Sequence, residues 1–255
     1  MGLGGLVVLL ILSLIFKQDF LSLLGGGGGG GAGVPSGPVQ ASPEEEQLKQ
    51  FVGFVLDDAQ TTWDRVLPEQ GGGRYEHAKL VLFRDAIESA CGYAQAATGP
   101  FYCPGDRKVY VDLGFYEELK QRFGAPGDFA QAYVLAHELG HHVQFLLGTE
   151  DKLRQQQRAR PSEANTLSVR FELQADCYAG VWGNSASQRG ELQAGDVEEG
   201  LNAAAAVGDD RIQRMSTGHV SPEDFTHGTS QQRAGWFQRG LRSGRLSDCD
   251  TFSAP

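Results

Sequence analysis

Two histidines and a glutamate fall within five residues at His137-Glu138-Leu139-Gly140-His141. On an α-helix, positions i and i+4 lie on one face a turn apart, so both imidazoles reach a single metal ion. Glu138 then stands where the general base for a metal-bound water has to be. So short a pattern also arises by chance, and a core helix whose histidines bond backbone carbonyls is the plain alternative. His142 lies outside the i, i+4 pair and reads as structural, because one helix face does not aim adjacent imidazoles at one ion.

A second pair with helical spacing follows at Glu172 and Asp176. A glutamate there could complete the coordination, and an aspartate one turn on could hold a ligand histidine by its other ring nitrogen. Acids of this kind are mostly surface residues. These two, however, sit among Phe171, Leu173, Ala175, Cys177, Tyr178 and Trp182. Further on, Phe225-Thr226-His227-Gly228-Thr229-Ser230-Gln231-Gln232-Arg233 places His227 just before a helix N-cap. The acids Glu198, Glu199, Asp209 and Asp210 lack the regular oxygen-ligand spacing of a calcium loop and read as caps and solvated charge.

These residues need elements to position them. Ser42-Pro43-Glu44-Glu45 is a helix start with cap, first-turn proline and acids, and predicts a helix to about Asp64 that buries Phe51, Phe54, Val55 and Trp63. Lys79 to Phe83 and Lys108 to Leu113 read as strands, and Phe115 to Phe123 as a short helix. Gly124-Ala125-Pro126-Gly127 breaks the chain, with Asp128 as expected N-cap of a helix from Phe129 to Leu147 that stops at Gly148. That helix is apolar nearly all round, which places it in the middle of a domain. Two histidines and a glutamate inside it need partners, and a metal is one partner that accepts all three. Asp151 to Ser162 reads as a solvated turn region. Helices are expected from about Asn165 to Trp182, from Asp196 to near Gly208, and after His227, the last carrying Trp236, Phe237 and Leu241.

The 255 residues suffice for one ordinary domain plus a tail, or two small domains. Acids outnumber bases by 32 to 22, a net charge of −10, with no long basic run. Nucleic acid is thereby excluded as a partner, since phosphate binding needs clustered Lys and Arg. Leu3 to Phe16 is an almost unbroken apolar run, and counting from Gly2 to Leu24 reaches the roughly 20 residues that span a bilayer. No basic region precedes it and no clear small-residue cleavage site follows, so residues 1–24 are read as a single uncleaved anchor rather than a signal peptide. Residues 25–41, opening with seven glycines, form a linker, and the folded domain is expected over 42–255. Cys91, Cys103, Cys177 and Cys249 form no Cys-x-x-Cys pair. Their even number and wide spacing suit two disulfides and an oxidising compartment. A bridge could close the Cys91 to Cys103 loop and contribute on the order of 3 kcal/mol in the chain-entropy model. Which cysteines pair is not decided by spacing.

The stretches SACGYAQAATGPFYCPGDRKVYVDLGFYEEL, GAPGDFAQAYVLAHELGHHVQFLLG, FELQADCYAGVW and THGTSQQR, with the apolar run and glycine tract, resemble the bacterial membrane-anchored neutral zinc metallopeptidases. These YpfJ-like proteins are in turn similar to the gluzincin class of metalloproteases. The resemblance implies an α+β, zincin-like domain, mainly helical, with a small sheet whose edge strand borders the active site. It places Val109 to Leu113 on that edge strand. It makes His137, His141 and Glu172 the zinc ligands, Asp176 the residue behind a ligand histidine, and Glu138 the general base. His227, with Arg233 nearby, is similar in place to the histidine that stabilises the tetrahedral intermediate.

The function so implied is a zinc metalloendopeptidase on a single-pass membrane protein, its catalytic domain extracytoplasmic and its substrate a peptide or protein. The competing reading, from another class, is a catalytically silent, zinc-stabilised binding module tethered to the membrane. The intact Glu138 favours the enzyme, because a purely structural zinc site has no use for a base and closes its fourth position with a protein ligand.

Overall fold

A capping box opens the first helix, Ser42 accepting from Glu45 N–H while the Glu45 carboxylate accepts from Ser42 N–H. The structure, a computed structural model, describes residues 42–95 and 99–253. The expected anchor and linker, 1–24 and 25–41, lie outside the described residues. Among the described residues no helix is long and apolar enough to cross a membrane.

Helix α1 (Pro43–Glu69) runs past the expected end at Asp64 because its apolar face continues through Val66 and Leu67. The buried stripe is Val52, Val55, Ala59, Trp63 and Val66, the three-then-four spacing of one helix face. Phe54 is off that stripe and 62% exposed, against the expectation that it packs inside.

Strands β1 (Lys79–Phe83), β4 (Phe101–Cys103) and β5 (Lys108–Asp112) form a three-stranded sheet in the order β1-β5-β4. Between them lies a hairpin that sequence patterning missed, β2 (Ala86–Ser89) with β3 (Gly92–Gln95). The sheet corrects one expectation directly. Val109 to Leu113 is not the edge: β5 is the central strand, parallel to β1 and antiparallel to β4. Both its ladders are taken, and Val109, Tyr110, Val111 and Asp112 are all buried, as a strand covered on both faces must be. The edges are β1 and β4, the latter three residues long. A disulfide between Cys91 and Cys103 ties the hairpin turn to the end of β4.

After α2 (Phe115–Gln121) comes the central helix α3 (Asp128–Leu146), with 14 of its 19 residues buried. Its N-cap is Gly127 rather than Asp128. Gly127 has φ 122°, and a β-carbon there would run into the Glu199 carboxylate. Glu199 itself accepts from Phe129 N–H at 3.3 Å, so the cap arrives from a distant helix, α6 (Asp196–Ala206). Gly148, at φ 68°, ends α3 as expected. The segment expected to be a solvated turn is instead helix α4 (Thr149–Ala159), exposed except for buried Leu153 and half-buried Thr149, Glu150, Gln156 and Gln157, and built of good helix formers with a Glu150–Arg154 pair one turn apart.

Helix α5 (Ala164–Gln188) crosses α3, and α8 (Ser230–Ser243) lies along α5. Small residues set both spacings. A β-carbon on Gly140 would stand 2.8 Å from the Ala175 carbonyl oxygen. Gly180 and Gly240 face the backbones of α8 and α5 with no room for any side chain. A second disulfide, Cys177–Cys249, fastens the C-terminal segment to α5. The fold is thus α+β, mostly helical with a small sheet.

Candidate metal centre

His137 and His141 leave α3 one turn apart, and Glu172 comes from α5, held close by the Gly140–Ala175 contact. Both imidazoles address the same carboxylate oxygen: His137 Nε2 lies 3.2 Å from Glu172 Oε2 and His141 Nε2 lies 3.5 Å from it. One ligand atom from each of the three falls within 4.8 Å of the other two.

The ring nitrogens turned away from Glu172 determine what those facing it can be. His137 Nδ1 is 2.7 Å from Asp176 Oδ1, and Asp176 also accepts from Tyr133 Oη and from Arg233 Nε and Nη2. Burial alone would raise the Asp176 carboxyl, but the Arg233 charge and the His137 contact outweigh it and hold the value at about 2. An ionised carboxylate only accepts, so His137 carries a proton on Nδ1 and leaves Nε2 facing Glu172. His141 Nδ1 is likewise 2.8 Å from the Gln144 Oε1 acceptor. Two ring nitrogens and a carboxylate oxygen converge on one point, an arrangement that demands positive charge: against burial, Asp176 and Glu172 raise His137 to about 10, so without an ion a proton takes that place. Burial would raise Glu172, yet its imidazole neighbours bring it well below the ordinary carboxylate range. With the Nε2 protons displaced, as metal binding requires, two imidazoles and a carboxylate are a donor set that fits a divalent transition metal with a position left open.

Glu138 stands beside the pair, buried, and its burial pushes its carboxyl above the ordinary range. It faces a cavity of about 570 Å³ that also exposes His137, His141 and Glu172. Phe115, Phe123, Val134, Val207 and Ile212 make the cavity's apolar wall. Phe101 and Tyr102 of the β4 edge line it too, and the Tyr102 backbone N–H donates to the Glu138 carboxylate.

His227 lines the same cavity, on the loop between α7 (Asp209–Thr217) and α8. Asp209 holds that loop. Its Oδ2 accepts from the backbone N–H groups of Thr226, His227 and Gly228 at 2.7, 2.7 and 3.1 Å, and its Oδ1 lies 3.2 Å from His227 Nδ1. Gly228, at φ 98°, supplies the bend that turns three successive N–H groups to one oxygen. The hydrogen bond to Asp209 raises His227 above its ordinary value, against burial.

Arg233 does not stand free beside His227. It reaches the cavity wall but is buried, with Nε and Nη2 on Asp176 and Nη1 on the Val207 carbonyl, so most of its donors are already engaged. His142 faces away from the cavity centre. Its Nε2 donates to the Glu76 carbonyl and its Nδ1 accepts from Tyr102 Oη at 2.8 Å, a satisfied structural histidine.

Three contributors were missed in the sequence. Asp209 is buried rather than solvated, and nothing in its neighbourhood of the chain signals a partner eighteen residues on. Gln144 stands three residues after His141 on the same helix, a spacing that could have drawn notice. Gln174, which bonds Gln144 Nε2 through its Oε1, carries no sequence signal.

The chain matches, over residues 1–252, the family described as "Putative neutral zinc metallopeptidase". It is 50% identical over 252 residues to the "Uncharacterized protein YpfJ" of Escherichia coli strain K12, covering 98% of this chain and 87% of that one. It is 44% identical over 203 residues to the "Uncharacterized protein Rv2575" of Mycobacterium tuberculosis strain H37Rv, covering 75% of this chain and 66% of that one. No solved structure matches it.

Proposed function

The chain belongs to the neutral zinc metallopeptidase family, and from that premise we propose that it is a zinc-dependent metalloendopeptidase of gluzincin type with a zincin-like domain. The observation that carries the reading is the convergence of His137 Nε2 and His141 Nε2 on one oxygen of Glu172, with Glu138 beside them at a cavity large enough for side chains of a peptide. His137, His141 and Glu172 would hold the zinc. Bound there, zinc supplies a Lewis acid that polarises a carbonyl and lowers the pKa of water toward about 7.

The remaining work belongs to the chain. Glu138 takes the proton of the attacking water and returns it to the leaving amine. His227, fixed by Asp209, donates to the oxygen on which charge develops. Asp176, from behind, keeps His137 in the Nδ1–H form and fixes its ring plane. The β4 edge, bordering the cavity through Phe101 and Tyr102, is where an extended substrate pairs, in place of the expected Val109 to Leu113. The apolar wall of Phe115, Phe123, Val134, Val207 and Ile212 lowers the polarity around the reacting groups.

In the same reading residues 1–24 anchor the protein as a single-pass helix, 25–41 tether it, and the domain over 42–255 works outside the cytoplasm. The two disulfides support an oxidising compartment. The test is metal content and peptide hydrolysis of the wild type beside Glu138→Gln, His137→Ala and Glu172→Ala. Expected are about one zinc per chain in wild type and Glu138→Gln, hydrolysis reduced by roughly 10²- to 10⁴-fold in Glu138→Gln, and zinc lost from the other two. A fully zinc-loaded wild type that cleaves nothing in a broad peptide library would replace this reading with the silent, zinc-stabilised binding module.

A further inference from the structure

The two candidate ligand histidines are backed by different chemistry. Behind His137 stands a carboxylate, Asp176; behind His141 stands an amide, Gln144. That amide is the first link of a chain. Gln144 Oε1 lies 2.8 Å from His141 Nδ1, Gln144 Nε2 donates to the Phe171 carbonyl at 2.7 Å and to Gln174 Oε1 at 3.0 Å, and Gln174 Nε2 donates to the Cys249 carbonyl at 3.0 Å. Gln144 is fully buried and Gln174 is 7% exposed, so both amides take their partners from the protein.

A side-chain amide can turn over by half a rotation, exchanging its oxygen and nitrogen, and its orientation follows from its neighbours. Here the neighbours leave one choice. The far ends of the chain are the carbonyl oxygens of Phe171 and Cys249, which only accept. Gln174 must therefore present its N–H₂ to Cys249 and its oxygen to Gln144. Gln144 must present its N–H₂ to Phe171 and Gln174, and its oxygen to His141. Turning Gln144 over would set its oxygen against two acceptors in a buried site, each unsatisfied contact costing about 1–3 kcal/mol. His141 is left with a single acceptor at Nδ1, so a proton sits there and Nε2, which faces Glu172, is the nitrogen left to give its lone pair to a metal. A histidine in the other tautomer would offer an N–H to the metal position.

We propose that Gln144 and Gln174 are positioning residues for metal binding, an amide relay whose fixed polarity, set by the Phe171 and Cys249 carbonyls, holds His141 in the Nδ1–H form. The inference rests on the metal reading of His137, His141 and Glu172 above. The last acceptor is no loose end: Cys249 is disulfide-bonded to Cys177, one turn beyond Gln174 on the same helix. The C-terminal segment thus takes part in orienting a ligand on α3 without approaching the metal position.

The test compares the full chain with Gln144→Met, Gln144→Glu and Gln174→Met. Zinc affinity is read by competition with a chromophoric chelator, and the His141 Nδ1–H by nitrogen and proton NMR of the zinc-loaded protein. Wild type is expected to show a slowly exchanging Nδ1–H on His141. Gln144→Met is expected to bind zinc 10- to 100-fold more weakly, the range for residues behind metal ligands, and to lose that protected proton. Gln174→Met, which leaves the Phe171 carbonyl to hold Gln144, is expected to lose less than Gln144→Met. Gln144→Glu keeps an acceptor on Nδ1 while disturbing the bonds to Phe171 and Gln174, and should recover most of the affinity and the protected proton. A purely structural role predicts the opposite order for the last variant, so Gln144→Glu binding no better than Gln144→Met overturns the proposal. So does wild-type affinity with a retained Nδ1–H in Gln144→Met. If the wild type itself takes up no zinc, the metal reading fails first and the relay with it; if the wild type binds and the variants match it, only the relay fails.

Discussion

Arg233 grips Asp176 with two hydrogen bonds, Nε to Oδ2 at 2.9 Å and Nη2 to Oδ1 at 3.0 Å, and both residues are buried. The pair joins α8 to α5 directly behind His137. Removing one member of a buried ion pair leaves the other charge uncompensated, typically at a cost of about 3–5 kcal/mol. Arg233→Met is therefore expected to lower unfolding stability by that amount in denaturant titration and to weaken zinc binding. Arg233→Lys, which cannot make the two-pronged contact, should recover part of the stability only.

Gly140 lets α3 and α5 touch. Alanine there puts its β-carbon 2.8 Å from the Ala175 carbonyl oxygen, against backbone that cannot swing aside. Gly140→Ala should cost about 1–3 kcal/mol as an overpacked core substitution. It should also weaken zinc binding, because the shift moves Glu172 from the histidine pair. A variant with wild-type zinc affinity would show that the ligands do not depend on this spacing.

The Asp209–His227 contact predicts a pH dependence. His227 is raised chiefly by its hydrogen bond to Asp209, with burial opposing, Glu172 adding to the rise and Arg233 reducing it. Its share of stability is full below the unfolded value near 6.5 and is lost as pH rises through the higher folded value. Asp209 is lowered against its own burial by the His227 side-chain and backbone donors. Its share is present above about pH 3.9 and lost as pH falls through the lower folded value. Asp209→Asn should move the His227 titration, followed by NMR, to lower pH, and carry the alkaline limb of hydrolysis with it. An unmoved limb would remove His227 from the reaction.

The two disulfides should differ in weight. Cys177–Cys249 spans 72 residues and Cys91–Cys103 spans 12. In the chain-entropy model they stabilise by roughly 4 and about 3 kcal/mol. Replacing Cys177 and Cys249 together by serine should depress both the thermal midpoint and zinc affinity, whereas replacing Cys91 and Cys103 together should act on the hairpin and β4 and leave zinc affinity within a few-fold.

Local signals carried far in this chain. The capping box at Ser42, the glycine stop at Gly148 and the capping box at Thr229 each mark an element boundary through bonds among near neighbours. The helical spacing of His137 with His141, and of Glu172 with Asp176, needs only the geometry of one helix at a time, and the structure brings all four together. Helix α4 and the β2–β3 hairpin had local signals that went unread, whereas the failures nearest the site depended on distant partners. Whether Val109 to Leu113 was edge or centre turned on which strands lay beside it. Asp128 has the chemistry of a cap, but Glu199 reaches the helix end from another element. Asp209 and Gln174 owe their roles to residues that no local pattern connects to them.

The crossing at Gly140 also changes what the short motif says. In His-Glu-x-x-His the two middle letters stand for any residue, and a search with that pattern gathers every helix with a suitable pair of imidazoles. In this protein the second wildcard is occupied by the one residue that lets the neighbouring backbone come within reach, and Ala175 answers it from the other side. Written as His-Glu-x-Gly-His with an alanine three residues after the glutamate ligand, the signature becomes a statement about the distance between two helices. A five-letter coincidence on one helix does not satisfy it.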